Sequence, residues 1–383
     1  MRARFAIVVA CVVASVAACA PNRGDEYTKA LAEARRANNA GRFEVAATKF
    51  DEAAKHAKVP RDAIFMRYEA ALSRARAGDV ARAATELRAI ATAKPPNAYS
   101  AQAAFKAAQL AIDADAAAGH AELAAVPIDF PDSGVAQVAV VRLARWDDEH
   151  GGPATAIGRL DAMRPKVQGH NVEQTVLYER AKRLAVLGKH QEARDALLEI
   201  ADRWKYPFGP YLDDSLYAAA EMEEKLGRPR EAIGHLERLL SYRETSSFMG
   251  SYERPRYIPS ILKIAKIYEE KLSDRGKARD ALHRLYAEFT TSTLRDDALW
   301  REAELWRKDG DAGKMCDRLD TLASDFPDSR YVPCAIDKCP SIKRSSKSKA
   351  PKTCHAYLMR EASPHDEAET APTVDTVRPD DPK

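Results

Sequence analysis

Five times along this chain a small residue is followed by large or small apolar residues four and seven positions later. The sets are Ala46-Phe50-Ala53, Ala83-Leu87-Ile90, Ala156-Leu160-Met163, Ala193-Leu197-Ile200 and Ala278-Leu282-Leu285, with Ile233-Leu236-Leu240 as a sixth in a shifted phase. Steps of four and three place three side chains on one face of an α-helix and on no common face of a strand. Gly41, Gly78, Gly151, Gly188, Gly227 and Gly310 lie about five residues ahead of most of these faces, and successive ones fall about 32 to 40 residues apart in most places. Glycine after a helix takes the left-handed conformation that ends it and turns the chain back. The predicted unit is therefore a pair of amphipathic helices, repeated from about Asp25 to Pro333. Such a pair buries its apolar face only by stacking on its neighbours. The copy around Ala116 to Val126 is truncated, and the one around Lys271 to Ala278 has a looser turn, Ser273-Asp274-Arg275-Gly276. An Ala-rich composition with 17 glycines in 383 residues argues against an all-β sandwich or barrel.

The fullest copy, Gly41-Arg42-Phe43-x2-Ala46-x3-Phe50-x2-Ala53, resembles the small-large-small signature of the tetratricopeptide-repeat family, and Gly188-x4-Ala193-x3-Leu197 repeats it. The first helices are degenerate, with Ala, Arg or Glu where that family has Trp, Leu and Gly. The resemblance implies an all-α, tetratricopeptide-like helix-pair solenoid over residues 25–333, with about seven to eight repeats, whose small residues let paired helices approach closely.

Met1-Arg2-Ala3-Arg4 and the apolar run Phe5 to Val13 have the form of a secretory signal, and the run is too short for a membrane span. Val16-Ala17-Ala18-Cys19 resembles the lipobox of bacterial lipoproteins, with Val for the usual Leu. That likeness implies a signal peptide over 1–18, a diacylglycerol thioether on Cys19 and a lipidated linker over 19–24; the alternative is ordinary signal cleavage near Ala18 or Ala20. Ala20 is not the Asp that resembles inner-membrane retention, so the expected location is the outer membrane, lipid-anchored and facing the periplasm. Removing Cys11 with the signal and acylating Cys19 leaves Cys316, Cys334, Cys339 and Cys354. In an oxidising compartment four cysteines read as two disulfides, with three pairings open. Zinc held by Cys334, Cys339, Cys354 and His355 is the weaker alternative, because the Cys-x4-Cys spacing is loose. The expected role of the pairs is to staple a cysteine-containing extension, 334–360, onto the last helices.

Asp129-Phe130-Pro131-Asp132-Ser133 recurs letter for letter as Asp325-Phe326-Pro327-Asp328-Ser329. Phe is expected to pack on the preceding helix, Pro to stop it, and Asp or Ser to cap the next. Leu212-Asp213-Asp214 and Leu294-Arg295-Asp296-Asp297 open helices with acids that suit the dipole. This punctuation resembles the periplasmic branch of the family that includes the barrel-assembly lipoprotein BamD and the division coordinator CpoB.

Two connections are long for inter-helix loops. One carries Trp204, Tyr206, Phe208 and Tyr211; the other carries Arg243, Phe248, Tyr252, Arg254, Arg256 and Tyr257. Aromatic and arginine side chains are favoured at interfaces, so these ten are the partner-binding candidates, against the alternative that they pack over the ends of neighbouring repeats. Lys343, Arg344, Lys347, Lys349 and Lys352 form a Ser-rich basic run expected to be exposed and flexible, with anionic lipid or peptidoglycan as a secondary possibility. Residues 361–383 are acidic and Pro/Thr-rich, the composition of a disordered tail. Sixty basic residues against 57 acidic ones argue against a nucleic-acid partner. No phosphate loop, His-Glu-x-x-His or Gly-x-Ser-x-Gly motif occurs, and Asp147-Asp148 and Asp213-Asp214 are adjacent, so their side chains diverge on a helix. The sequence thus predicts a scaffold without catalytic residues, metal or cofactor. Its expected partner is another envelope protein, with peptidoglycan contact, division-site coordination or a secretion or motility machine as alternatives, and a peptidoglycan-cleaving enzyme as the least expected one.

Overall fold

The computed structural model describes residues 23–205, 209–243 and 254–359, which are helical with no strand among them. Two compact units divide the chain between Trp204 and Lys205. The first pairs α1 (Asp25–Asn39) with α2 (Phe43–His56), α3 (Pro60–Arg76) with α4 (Val80–Ala91), and α5 (Ser100–Ala114) with a short α6 (Ala116–Leu123). A single turn, α7 (Val126–Asp129), leads to α8 (Gly134–Gly151) with α9 (Pro153–Met163) and α10 (Glu173–Val186) with α11 (His190–Arg203). The second unit pairs α12 (Leu212–Lys225) with α13 (Pro229–Leu240), α14 (Tyr257–Lys266) with α15 (Arg275–Glu288), and α16 (Arg295–Lys308) with α17 (Ala312–Asp325). It closes with α18 (Val332–Lys338) and a 3-10 turn, Ala356–Met359. No helix among the described residues is long and apolar enough to cross a membrane.

The second helix of each pair buries the face its spacing predicted. Ala46, Phe50 and Ala53 are buried, as are the corresponding residues of α4, α9, α11 and α15. In α13 the phase is not shifted after all: Ala232, Leu236 and Leu239 are each fully buried and keep the four-and-three step, with Ile233 and Leu240 flanking them. Met315, Leu319 and Leu322 extend the series into α17. Each such leucine is worth about 1.5–3 kcal/mol of burial. The alanines of the first helices, among them Ala34, Ala107 and Ala181, are buried too, so the degenerate positions are close helix contacts.

The turn inside a pair is built from its own backbone. After α1, Gly41 has φ 72° and Arg42 N–H donates to Ala37 O at 2.9 Å; after α10, Gly188 has φ 72° and Lys189 N–H donates to Leu184 O at 2.9 Å. This closure satisfies carbonyls that a helix end leaves open. The glycine between α8 and α9 that does this work is Gly152, at φ 77°, while Gly151 remains helical. In the looser turn, α14 runs on as a π-helical turn, Ile267–Lys271, and Ser273 takes a φ of 52° without being glycine. The truncated copy is short because α6 has only eight residues, capped by Asp115, which accepts from Ala118 N–H at 3.1 Å.

The two Phe-Pro-Asp-Ser segments diverge in use. Ser133 caps α8 by accepting from Ala136 N–H at 3.3 Å. Ser329 caps no helix: α18 begins three residues later, and the Ser329 hydroxyl donates to Asp296 at 2.6 Å. What the copies share is the aspartate. Asp132 accepts from Asn171 N–H at 3.0 Å, and Asp328 accepts from Lys349 N–H at 2.6 Å, so each turn ties down a later loop.

Cys316 is bonded to Cys339 and Cys334 to Cys354, which leaves no thiolate of the four for zinc. Cys334, Ala335, Cys339, Ile342 and Ala350 join the core of the last pair with Leu299, Leu319 and Leu322. Trp300 stacks on Tyr331 with ring centroids 4.9 Å apart. The basic run is therefore not a loose loop. Arg344 donates to the carbonyls of Pro351 and Ala350, the Ser348 hydroxyl donates to Pro327 O, and both ends carry disulfides.

Candidate partner-binding surface

Of the ten partner-binding candidates, Tyr206, Phe208, Phe248 and Tyr252 lie outside the described residues, as does Cys19. The other six are engaged within their own unit. Arg203 lies 4.3 Å from the Trp204 ring centroid. Tyr211 is half-buried at the start of α12. Arg243 donates to Glu288 O at 2.7 Å and its guanidinium covers the Phe289 ring at 4.1 Å. Tyr257 is only 1% exposed, and its hydroxyl accepts from Arg254 at 2.8 Å.

The arginines answer to the acid pair that opens α12. Arg254 lies 3.1 Å from Asp213, and Arg256 donates to Asp214 at 2.6 Å while covering Tyr217 at 5.0 Å. Burial pushes the Asp213 carboxyl up, against the lowering effect of Arg254. The acid pair of α16 repeats the device with other donors: Asp296 takes Ser329, while Asp297 takes Arg330 at 2.7 Å and the Tyr331 hydroxyl at 2.6 Å. Adjacent carboxylates on one helical turn diverge, as expected, and each catches a different residue of the following loop.

A second regularity runs along the first helices. Near its C-terminal end each of several carries a cation that reaches the corresponding end of the first helix before it. Arg76 donates to Asn38 at 3.1 Å and Arg183 to Asp148 at 2.7 Å in the first unit. In the second unit Lys263 reaches Glu224 at 3.1 Å, Lys308 reaches Glu269 at 2.8 Å, and Lys338 reaches Glu304 at 2.9 Å. Partners lie 34 to 39 residues apart, one repeat length. Aligning the sequence at the repeat period and looking for opposite charges in register would have found them.

Another acid, Glu173, is enclosed at the start of α10. Its carboxylate is fully buried, accepts two bonds of 2.7 Å from Arg203 and one of 2.8 Å from Gly169 N–H, and has Arg164 at 3.8 Å. Burial alone would raise its pKa; the Arg203 and Gly169 hydrogen bonds and the arginine charges outweigh that and hold the carboxyl below its ordinary value. A depressed folded-state pKa contributes stability above the unfolded value, about 4.3, that is lost as pH falls through the folded one. Glu173→Gln is expected to cost about 1.5–3 kcal/mol at pH 7, the range for hydrogen bonds to charged groups. In urea titrations the gap from wild type should narrow at pH 3; a constant gap would show that the carboxylate's charge is not what counts.

Two clefts indent the units. One of about 260 Å³ in the first unit is walled by Arg164, Arg180, Glu192, Asp195 and Glu199. One of about 490 Å³ in the second lies among α15, α16 and α17, with Arg279, His283, Arg284 and Arg318 on its walls and Glu302 and Trp306 behind them. His283 lies 3.2 Å from Glu302, a carboxylate that burial pushes up in pKa against His283 and Arg318. The lining offers no serine, threonine or cysteine for such a histidine to activate. Its arginines are already committed: Arg279 to Asp309 and over Trp306 at 3.7 Å, Arg284 to Glu237 at 2.8 Å. Among the described residues no three of His, Cys, Asp and Glu are placed to hold a metal ion.

These are the surfaces of a helix-pair array, and the family match agrees with it. Residues 65–203 match the tetratricopeptide repeat-like domain family. The match runs from within α3 to the end of α11; outside it the three pairs of the second unit follow the same burial pattern, and two of them, at Gly227 and Gly310, the same turn. The fold is all-α and tetratricopeptide-like, with disulfide-bonded cysteines at its C-terminal end. Among solved structures, a tetratricopeptide repeat protein from Parabacteroides merdae is 13% identical, with 72% of this chain and 98% of that one covered and a TM-score of 0.34. The TPR2AB domain of yeast Sti1, in a pHSP90 complex, is 12% identical over 82% of this chain and 96% of that one at a TM-score of 0.24. The P58(IPK) TPR domain is 14% identical over 84% of this chain and 100% of that one, also at 0.24. None of the curated proteins matches the chain. Tetratricopeptide-like repeats are scaffolds for protein–protein interaction and are typically non-catalytic.

Proposed function

We propose that the chain is a lipid-anchored, periplasm-facing scaffold that docks another protein of the bacterial cell envelope. The observation that carries the scaffold part is the array itself, since charged side chains lining the clefts described above are already paired. The envelope part is supported by the lipobox-like Val16-Ala17-Ala18-Cys19 and by the use of the remaining four cysteines, which suits an oxidising compartment. An acyl-anchored Cys19 would hold the array at the outer membrane, where multiple chains give a stable anchor. The Phe-Pro-Asp-Ser turns resemble the BamD- and CpoB-containing branch, which makes outer-membrane protein assembly the first role to test and division-site or peptidoglycan coordination the second.

The test is a crosslinked pull-down of C-terminally tagged protein from detergent-solubilised membranes, beside Cys19→Ala. The expected result is fractionation of wild type with the outer membrane, release of Cys19→Ala to the soluble fraction, and enrichment of barrel-assembly components by wild type. Enrichment of a peptidoglycan, secretion or motility apparatus would keep the scaffold and replace the role. Membrane fractionation unchanged by Cys19→Ala would remove the anchor from the proposal.

A further inference from the structure

The last 46 residues separate their charges sharply. From Lys338 to Arg360 there are seven basic residues and no acidic one; from Glu361 to Lys383 there are seven acidic residues against two basic ones. The basic half is held in a fixed shape. Ile342 and Ala350 are buried anchors, Arg344 straps the loop through two carbonyls, Lys349 N–H is held by Asp328, and disulfides at Cys339 and Cys354 fix both ends. Lys343, Lys347, Lys349 and Lys352 stand exposed on this frame, and none has a carboxylate partner among the described residues. Three other lysines of the unit, Lys263, Lys308 and Lys338, each reach an acid.

We propose that this lysine face is a docking surface for an acidic peptide segment and that its occupant is the chain's own residues 361–383. Charge selects it, since four like charges held on one loop repel one another and gain from a polyanionic partner. The tether selects it too. The described residues end at Met359, seven residues past Lys352, and Glu361 follows two residues later, so the tail is tethered close in sequence to the loop, which makes the encounter intramolecular at an effective concentration in the millimolar range. Exposed pairs are individually weak, so the contact is multivalent and sensitive to salt.

The test uses the full chain. Zero-length carbodiimide coupling at 50 mM salt, followed by peptide mass spectrometry, is expected to join carboxylates of 361–383 to Lys343, Lys347, Lys349 and Lys352 in at least tenfold preference over exposed lysines elsewhere. The preference should fall several-fold at 500 mM salt. Tail crosslinks spread over the chain's lysines in proportion to exposure would overturn the proposal. A second arm identifies the occupant by vesicles of phosphatidylglycerol and phosphatidylcholine. Wild type is expected to bind them at least fivefold more weakly than a variant with Asp366→Asn, Glu367→Gln, Glu369→Gln and Asp375→Asn. Adding Lys347→Gln, Lys349→Gln and Lys352→Gln to that variant should abolish the gain. Equal vesicle binding with and without the tail's charges would make a lipid surface, and not the tail, the partner of this face.

Discussion

Gly119→Ala should lower the stability of the first unit by about 3 kcal/mol, the upper end of what overpacking a tight contact usually costs. The glycine sits in α6, where a Cβ would meet Ile112 N at 2.2 Å and Ile112 Cα at 2.4 Å, both backbone atoms of α5. A flexible side-chain tip could swing aside, but a helix backbone has no such freedom, so α5 and α6 must separate. That contact borders a core containing Phe105, Ala108, Leu123 and Leu143, so separation loosens several layers at once. For a unit of this size about 3 kcal/mol corresponds to a fall in Tm of roughly 6–12 °C. Gly158→Ala is the matched control: Gly158 is also helical, in α9, but a Cβ there meets nothing within 4 Å. It should raise stability by about 0.5–1 kcal/mol through helix propensity. Calorimetry of the two variants beside wild type decides the matter. Equal effects would mean that the α5–α6 approach is not set by the missing Cβ.

Opening both disulfides should have the other large effect. Cys316–Cys339 and Cys334–Cys354 span 23 and 20 residues, and loops of that length restrain the unfolded chain by about 3 kcal/mol each in the chain-entropy view. The spans overlap, because Cys334 lies inside the first and Cys339 inside the second. Either bond alone therefore keeps part of the extension on α17 or α18. Cys316→Ser with Cys339→Ser, or Cys334→Ser with Cys354→Ser, is expected to retain protection from protease at Arg344 and Lys347. The fourfold variant should lose that protection and melt several degrees lower. Full protection in the fourfold variant would show that packing of Ile342 and Ala350 suffices without the bonds.

The repeating half of this structure was legible because it rests on local rules. Helical spacing and a turn glycine are read from about a dozen neighbouring residues, and Ala46-Phe50-Ala53 sits where that reading placed it. Phase slipped only where two apolar residues stood side by side, at Ala232-Ile233, and only burial separates them. The close approach at Gly119 was not legible, since a helical glycine looks the same in sequence whether it faces open space or a neighbour's backbone. Position-specific partners were hidden for a similar reason. Ser133 and Ser329 close identical five-residue segments, and Asp296, which accepts from the Ser329 hydroxyl, lies 33 positions away. Residue type alone marks Arg254 and Arg256 as interface candidates, while Asp213 and Asp214, some 40 residues earlier, give them partners inside the unit.

The backbone closure after Gly41 and Gly188 also governs how a chain of this kind can change in length. Each closure draws its hydrogen bonds from the helix it ends and requires nothing from the adjoining pair. A segment copied or lost from one such glycine to the next would carry its own turn with it and meet the same kind of junction on either side. Length could then drift by whole pairs at little cost to folding, as expected of nearest-neighbour arrays. The departures at Ser273 and at the short α6 would be the joints where that interchange is blocked, because Gly119 and the π-helical turn are fitted to the neighbours they already have.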